Sequence, residues 1–338
     1  MLYIVSILPL FVYILLMKST DSFKLSNWKL LLTFMSWGSM ACLSLFALTR
    51  ISGWQSDTVI PVLEELLKAI LVFFFILRKR IAFIVEAVIY GAAVGAGFAL
   101  VENGIYIFFN PDMLMGNAII RGFGTALLHI GGTALAGSLF IMVSRFFIFD
   151  AGHRRENAGL LLLPTLVAAL LPSVLVHEGY NQFLLPPYLQ IVIVIVVYLV
   201  FFMATSALDE KQINNWLDSC INNDVTLLSQ IQSGQLSDTK AGQYLMMMQK
   251  QFEPEVFFDL IMYLQLYLEL TIAAKSRMLM LEAGLDPDEI REGEDDTMSK
   301  FKELRVLEHN IGITGMNILR PIVNQKNTDI WAMEKMLG

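Results

Sequence analysis

The chain of 338 residues holds two cysteines, Cys42 and Cys220, and four histidines. Two cysteines so far apart exclude a disulfide framework and any zinc site built on cysteine. Charge is scarce: 16% of residues are Asp, Glu, Lys or Arg, against about 25% in an ordinary soluble domain. No basic patch marks a nucleic-acid surface, so nucleic acid is not an expected partner. The start, MLYIVSILPLFVYILLMK, has no positive region and no small-residue cleavage site before Lys18. That predicts a retained first span in place of a signal peptide. The zinc-protease signature HExxH is missing.

What is present is apolar surface: 56% of residues are hydrophobic and the mean hydropathy is +0.59, values that fit a polytopic membrane protein. The polar residues are unevenly spread. Residues 1–208 carry 12 Lys and Arg against 10 Asp and Glu, and residues 209–338 carry 12 against 21. The chain therefore divides into a membrane body, 1–208, and an acidic helical tail, 209–338. A span needs about 20 apolar residues, and seven runs qualify, at roughly 1–17, 28–48, 58–77, 81–108, 117–147, 159–180 and 188–207. The expected fold class is all-α, a transmembrane helical bundle with a soluble helical tail. Basic residues gather in alternate loops: Lys18, Lys24 and Lys29, then RKR at 78–80, then Arg145, Arg154 and Arg155. The positive-inside rule puts those loops and the tail in the cytoplasm and the N-terminus outside, in a multi-pass cell-membrane protein.

This orientation aligns the residues that do not belong in lipid. PVLEELLKAI brings Glu64, Glu65 and Lys68 into the third span, and Glu64 and Lys68 share a helix face at i, i+4. Glu102 lies near the outer end of the fourth span and His129 near the middle of the fifth. His177 and Asn181, again i, i+4, close the sixth at its outer end. Each has an ordinary explanation by itself: an interfacial ion pair, a satisfied core histidine, a span-end histidine. Convergence of all of them at one depth points to function, because ionisable groups inside a membrane are costly to keep. Gly91, Gly95 and Gly97 in EAVIYGAAVGAGFALVEN give the fourth span a thin face for close helix packing. That stretch is not a dinucleotide loop, since no strand precedes it. Glu86 sits near the cytoplasmic end of the same span and reads as interfacial or paired.

The set EELLK, EAVIYGAAVGAGFALVEN, RGFGTALLH and HEGYN, in this order on successive spans, resembles the PrsW family of intramembrane proteases. That family is grouped with the CAAX prenyl proteases and bacteriocin-processing enzymes. The resemblance covers about residues 57–185. Glu86 stands where the family carries Asp, and Tyr180 stands where it carries Trp before Asn181. The resemblance implies an endopeptidase cutting a membrane-anchored protein or peptide in the outer half of the bilayer, with anti-sigma factors among relatives' substrates. It implies Glu64 as general base on water, Glu65 positioning it or relaying protons, His129 orienting the same water, and His177 with Asn181 donating to the oxyanion. Glu102 and Asn103 would complete the polar cavity and Arg121 its rim, with Lys68 and Glu86 supporting.

A zinc-dependent alternative draws on the same residues, Glu64, Glu65, Glu102, His129 and His177, as two nitrogens and an oxygen with water fourth. The metal-free glutamate mechanism is the expectation favoured here, with no cofactor. A proton-coupled transporter would use the set as a relay, but no inverted repeat relates the halves. A non-catalytic scaffold is the third class. In the tail, the apolar run from Pro254 reads as a buried soluble helix or a dimer seam because Asp259, Gln265 and Glu269 interrupt it. LDPDEIREGEDD at 285–296 reads as a solvated loop with a helix opening at Pro287. The tail's expected role is regulation or homo-oligomerisation.

Overall fold

A computed structural model of the protein describes all residues except 20, 22–24, 54–55, 57, 151–152, 155–157, 183–184, 219–220, 250–251, 286–293, 324–332, 334 and 338. Lys24, Arg155, Cys220 and most of the acidic stretch 285–296, Pro287 included, thus lie outside the described residues. Those that are described form two compact units, Met1–Lys211 and Gln212–Gly338.

The first unit is a helical bundle: α1 (Leu2–Ser19), α2 (Trp28–Ser52), α3 (Val59–Leu77), α4 (Ile84–Phe109), α5 (Met115–Ile119), α6 (Ala126–Phe147), α7 (Ala158–Asn181) and α8 (Pro187–Asp218), which runs on past Lys211. A helix satisfies its own backbone hydrogen bonds, and that makes it the form in which long apolar segments cross lipid. The only strands among the described residues are Phe149–Asp150 and His153–Arg154, a two-residue antiparallel pair. The outer faces are apolar in rows, as with Leu160, Leu163, Val167, Leu171 and Leu175 on α7, the side a bilayer would solvate.

α4 is the central helix, apolar all round and buried along most of its length against α1, α2 and α6. Its glycines explain how neighbours come so close. A Cβ on Gly97 would collide with the Met35 carbonyl of α2, and one on Gly95 with the His129 carbonyl of α6. The glycine face anticipated from sequence therefore meets two helices, one on each side. At its start α4 is capped from a distance: Asp209 on α8 accepts from the backbone of Ile84 and Val85, both at 3.0 Å. Orphan amides of the first turn are thereby satisfied.

Among the described residues seven helical segments are long and apolar enough to cross a membrane, but they are not all the expected ones. α3 is excluded on composition, because Glu64, Glu65 and Lys68 fall within its 19 residues. Those charges are turned inward, while Val59, Val62, Leu66, Ile70 and Phe74 are exposed along one stripe. α3 thus presents a lipid-compatible surface outward although its composition keeps it out of the apolar count. The seventh qualifying helix is one that the sequence reading placed in the soluble tail, Pro254–Glu282.

The second unit holds α9 (Ile221–Gln232), α10 (Lys240–Met248), α11 (Pro254–Glu282) and α12 (Glu294–Val323). α11 buries Leu260, Tyr263, Leu264, Tyr267 and Ala274 as it packs on α9 and α12. Protein covers much of its apolar surface. Its Lys275 ammonium, otherwise buried, meets Asp224 of α9 at 3.0 Å. α12 bends at Gly312, whose φ of 62° lies in the left-handed region that glycine tolerates.

Candidate active site

Four helices and one irregular turn bring the polar residues together. α3 supplies Glu64, Glu65 and Lys68, α4 supplies Glu102 and Asn103, α6 supplies His129 and α7 supplies His177. Between α5 and α6 the chain forms a π-helical turn, Ile120–Thr125, that carries Arg121. Such turns in otherwise regular helices are frequent at functional sites. The run RGFGT allows it: a Cβ on Gly122 would strike the Val5 carbonyl of α1, and one on Gly124 the Tyr180 hydroxyl. Tyr180 is thus buried as a brace for the π turn.

The side chains form one continuous chain of contacts. Arg121 Nη2 donates to Glu102 Oε1 at 2.8 Å, and Glu102 Oε2 lies 2.7 Å from His129 Nε2. Lys68 Nζ is 3.0 Å from His129 Nδ1 and donates to Glu65 Oε1 at 2.6 Å. The same Glu65 oxygen lies 2.8 Å from His177 Nδ1, and His177 Nε2 faces Glu64 Oε2 at 3.6 Å. Arg121 Nε donates to Asn103 Oδ1 at 3.0 Å, and Asn103 Nδ2 donates to the Ser6 carbonyl at 3.1 Å, tying the rim to α1. Phe98 closes the floor, its ring 4.9 Å from the His129 ring and 4.9 Å from Lys68 Nζ.

Donor and acceptor rules fix the tautomers. An ammonium only donates, so His129 Nδ1 accepts from Lys68 and its Nε2–H donates to Glu102. An ionised carboxylate only accepts, so His177 Nδ1–H donates to Glu65. A neutral His177 then turns the lone pair of Nε2 toward Glu64 Oε2. Two acceptors 3.6 Å apart are not themselves a hydrogen bond. They suit a water that donates to both, or a cation between them.

Glu64 and Glu102 line a cavity of about 410 Å3 between α2, α3 and α4, with Cys42, Thr49 and Arg50 on the α2 side. Glu65, Lys68 and His129 lie behind it, almost wholly buried. The volume is in the range of about 300–1,000 Å3 typical of ligand sites.

Of the residues expected from sequence, Glu64, Glu65, Lys68, Glu102, Asn103, Arg121, His129 and His177 are thus brought together. Two pairings differ from expectation. Lys68 binds Glu65 at i, i+3 and not Glu64 at i, i+4; both spacings share a helix face, and the packing of α3 against α6 and α7 chooses. Asn181 is exposed at the last residue of α7 and makes no hydrogen bond to the cluster. Glu86 is also outside it, about 24 Å away along α4 at 1.5 Å per residue. It accepts from the backbone of Ala82 and Phe83 at 3.0 and 3.3 Å and so caps the helix start. Sequence reasoning passed over Phe98, whose apolar ring gives no signal, and Tyr198 of α8, which the aliphatic run IVIVIVVYLVFF does set apart.

A family model described as PrsW family intramembrane metalloprotease matches residues 26–206, more than half of the chain and all of the cluster. The chain belongs to the PrsW family. Membership implies an intramembrane protease, and the matched segment runs from just before α2 into α8, leaving the second unit outside. No curated protein and no solved structure matches the chain. The family's description as a metalloprotease raises the question of a metal, and the residues fit one by type and spacing. One ligand atom from each of Glu64, His129 and His177 lies within 4.8 Å of the others, and two imidazoles with a carboxylate form a known catalytic zinc set.

Proposed function

We propose that the protein is an intramembrane endopeptidase in which Glu64 activates water for attack on a membrane-anchored protein or peptide. The observation that supports this most is the pair Glu64 Oε2 and His177 Nε2, 3.6 Å apart, with Glu64 on the cavity wall and His177 buried beside it and held from behind by Glu65. A water donating to both presents its oxygen lone pairs to a carbonyl carbon in the cavity. Attack forms the C–O bond as one water proton passes to Glu64. Glu64 then returns that proton to the amide nitrogen as the C–N bond breaks, completing general base and acid catalysis in one residue. Lys68 neutralises Glu65, so that Glu65 orients His177 without adding an unpaired charge. Asn181, one turn beyond His177 on the same face, is free to donate to the oxyanion when substrate is bound. Arg121 and Glu102 shape the opposite rim and hold His129.

A metal-assisted version is favoured by the spacing of Glu64, His129 and His177. These three would hold the ion, and a zinc there would polarise the scissile carbonyl and the attacking water. His129 would have to release Glu102 at Nε2 or Lys68 at Nδ1 to bind it, whereas His177 is already arranged as a ligand, its Nδ1–H on Glu65 in the manner of metal-bound histidines.

The loop charges support an orientation with the N-terminus outside and the second unit in the cytoplasm, and in that orientation the cavity lies in the outer half of the membrane. Processing of an anti-sigma factor is one role consistent with the family. The test is cleavage of a fluorogenic single-span peptide by purified protein. Glu64→Gln keeps the shape and is expected to lose at least about 100-fold in rate. Wild-type cleavage by that variant would refute Glu64 as the base. Metal analysis and chelation decide between the versions: zinc well below one per chain with chelator-resistant cleavage supports the glutamate form, and one zinc per chain with chelator-sensitive cleavage supports the other.

A further inference from the structure

Glu65 has one oxygen fully occupied and one idle. Oε1 takes both Lys68 and His177, while Oε2 is buried with no hydrogen-bond partner among the described residues. A second buried polar atom in the same state is the Tyr198 hydroxyl on α8. Tyr198 is 3% exposed, and it is the one polar residue in IVIVIVVYLVFF. Its ring lies against Gly131, where a Cβ would overlap it. The next residue brings the two idle oxygens to a common point. A Cβ on Gly132 would sit 3.4 Å from Glu65 Oε2 and 3.7 Å from the Tyr198 hydroxyl. One oxygen can only accept, the other can donate, and buried polar groups are seldom left unpaired. The Cβ point is too near the Gly132 Cα for a water, so the water that joins the two oxygens stands further out, about 3.3 Å from Cα; ordinary O–H···O distances to both are compatible with the 3.4 and 3.7 Å measured from the Cβ point. The two glycines after His129 thus have separate uses: Gly131 admits the tyrosine ring and Gly132 leaves the room.

We propose that Tyr198 is a positioning residue of this site: its hydroxyl, through one water seated over Gly132, holds Glu65 Oε2 and so fixes the carboxylate that orients His177. The expected effect on rate rests on the peptidase reading; the Tyr198–Glu65 link itself does not. Tyr198 acts through Glu65 and His177 and touches no reacting atom.

The experiment uses the full chain, purified in detergent, with the same fluorogenic peptide. Tyr198→Phe removes one oxygen and leaves the ring over Gly131. Gly132→Ala puts a methyl in ordinary contact with both oxygens and takes the water's place. Each should lower kcat about 10- to 100-fold, the range measured for groups that orient metal-ligating side chains and applied here to His177, with KM changed by no more than about twofold. The double variant should lose no more than the worse single one, since both break one bridge. A second readout needs no cleavage: thermal midpoints of Tyr198→Phe, Glu65→Gln and the combination should be non-additive, as for residues sharing a network. Additive midpoints overturn the proposal, as does wild-type kcat in either single variant or a change in KM alone. Should Glu64→Gln stay active while those midpoints remain non-additive, the assignment of Glu64 falls and the Tyr198–Glu65 link stands.

Discussion

Replacing Lys68 by methionine keeps the length and approximate volume of the side chain and removes its charge. The ammonium is buried, 2.6 Å from Glu65 Oε1 and 3.0 Å from His129 Nδ1. Removing one partner of a buried ion pair costs about 3–5 kcal/mol, because the other charge stays buried without compensation. At about 2–4 °C per kcal/mol for a domain of this size, the unfolding midpoint should fall by about 6–20 °C. The loss should be specific to Glu65. Adding Glu65→Gln removes the stranded charge and should recover most of the midpoint, whereas adding Glu64→Gln should not, since Lys68 does not hold Glu64. Activity should be lost in every one of these variants, because His129 loses the donor that sets its tautomer and His177 loses an ordered Glu65. Scanning fluorimetry on detergent-purified protein reads the midpoints, and the fluorogenic peptide reads the rate. A Lys68→Met midpoint equal to wild type would refute the buried pair, and recovery by Glu64→Gln alone would return the lysine to the i, i+4 partner.

Gly95→Ala should force α4 and α6 apart at the His129 carbonyl, costing about 1–3 kcal/mol as other overpacked cores do and most of the activity. Gly104→Ala, with nothing within 4 Å of its Cβ, should leave both the midpoint and the cleavage rate near wild type. Asp209→Ala should lower stability by about 0.5–2 kcal/mol through the lost cap of α4, read as a shifted midpoint; an unchanged midpoint would remove Asp209 from the cap. In a chain with both native cysteines replaced, Asn110→Cys should react with an impermeant thiol reagent in intact cells, and Gln235→Cys only after lysis. Labelling of position 235 from outside would invert the orientation.

The all-α membrane class and the family are written in the chain itself. Hydropathy suffices for the first because lipid leaves the backbone few options besides the helix. Four motifs in order suffice for the second, because chemistry inside a membrane demands charged residues that packing alone would not retain. A simple apolar count parts from the sequence reading at two helices. α3 fails a simple apolar count because of the residues that matter most, and α11 passes it although neighbouring helices bury much of its surface. Helix periodicity placed Lys68 beside both Glu64 and Glu65, since i, i+3 and i, i+4 share a face. Only the rotation of α3 against α6 and α7 gives the lysine to Glu65 and leaves Glu64 to the cavity. Periodicity likewise put Asn181 with His177, but α7 ends there and the side chain stays exposed. The link that sequence could least supply is Tyr198, 133 residues beyond Glu65. It reaches the site because glycines at 131 and 132 remove the side chains that would stand between, and such an absence acquires meaning only when another helix packs against it.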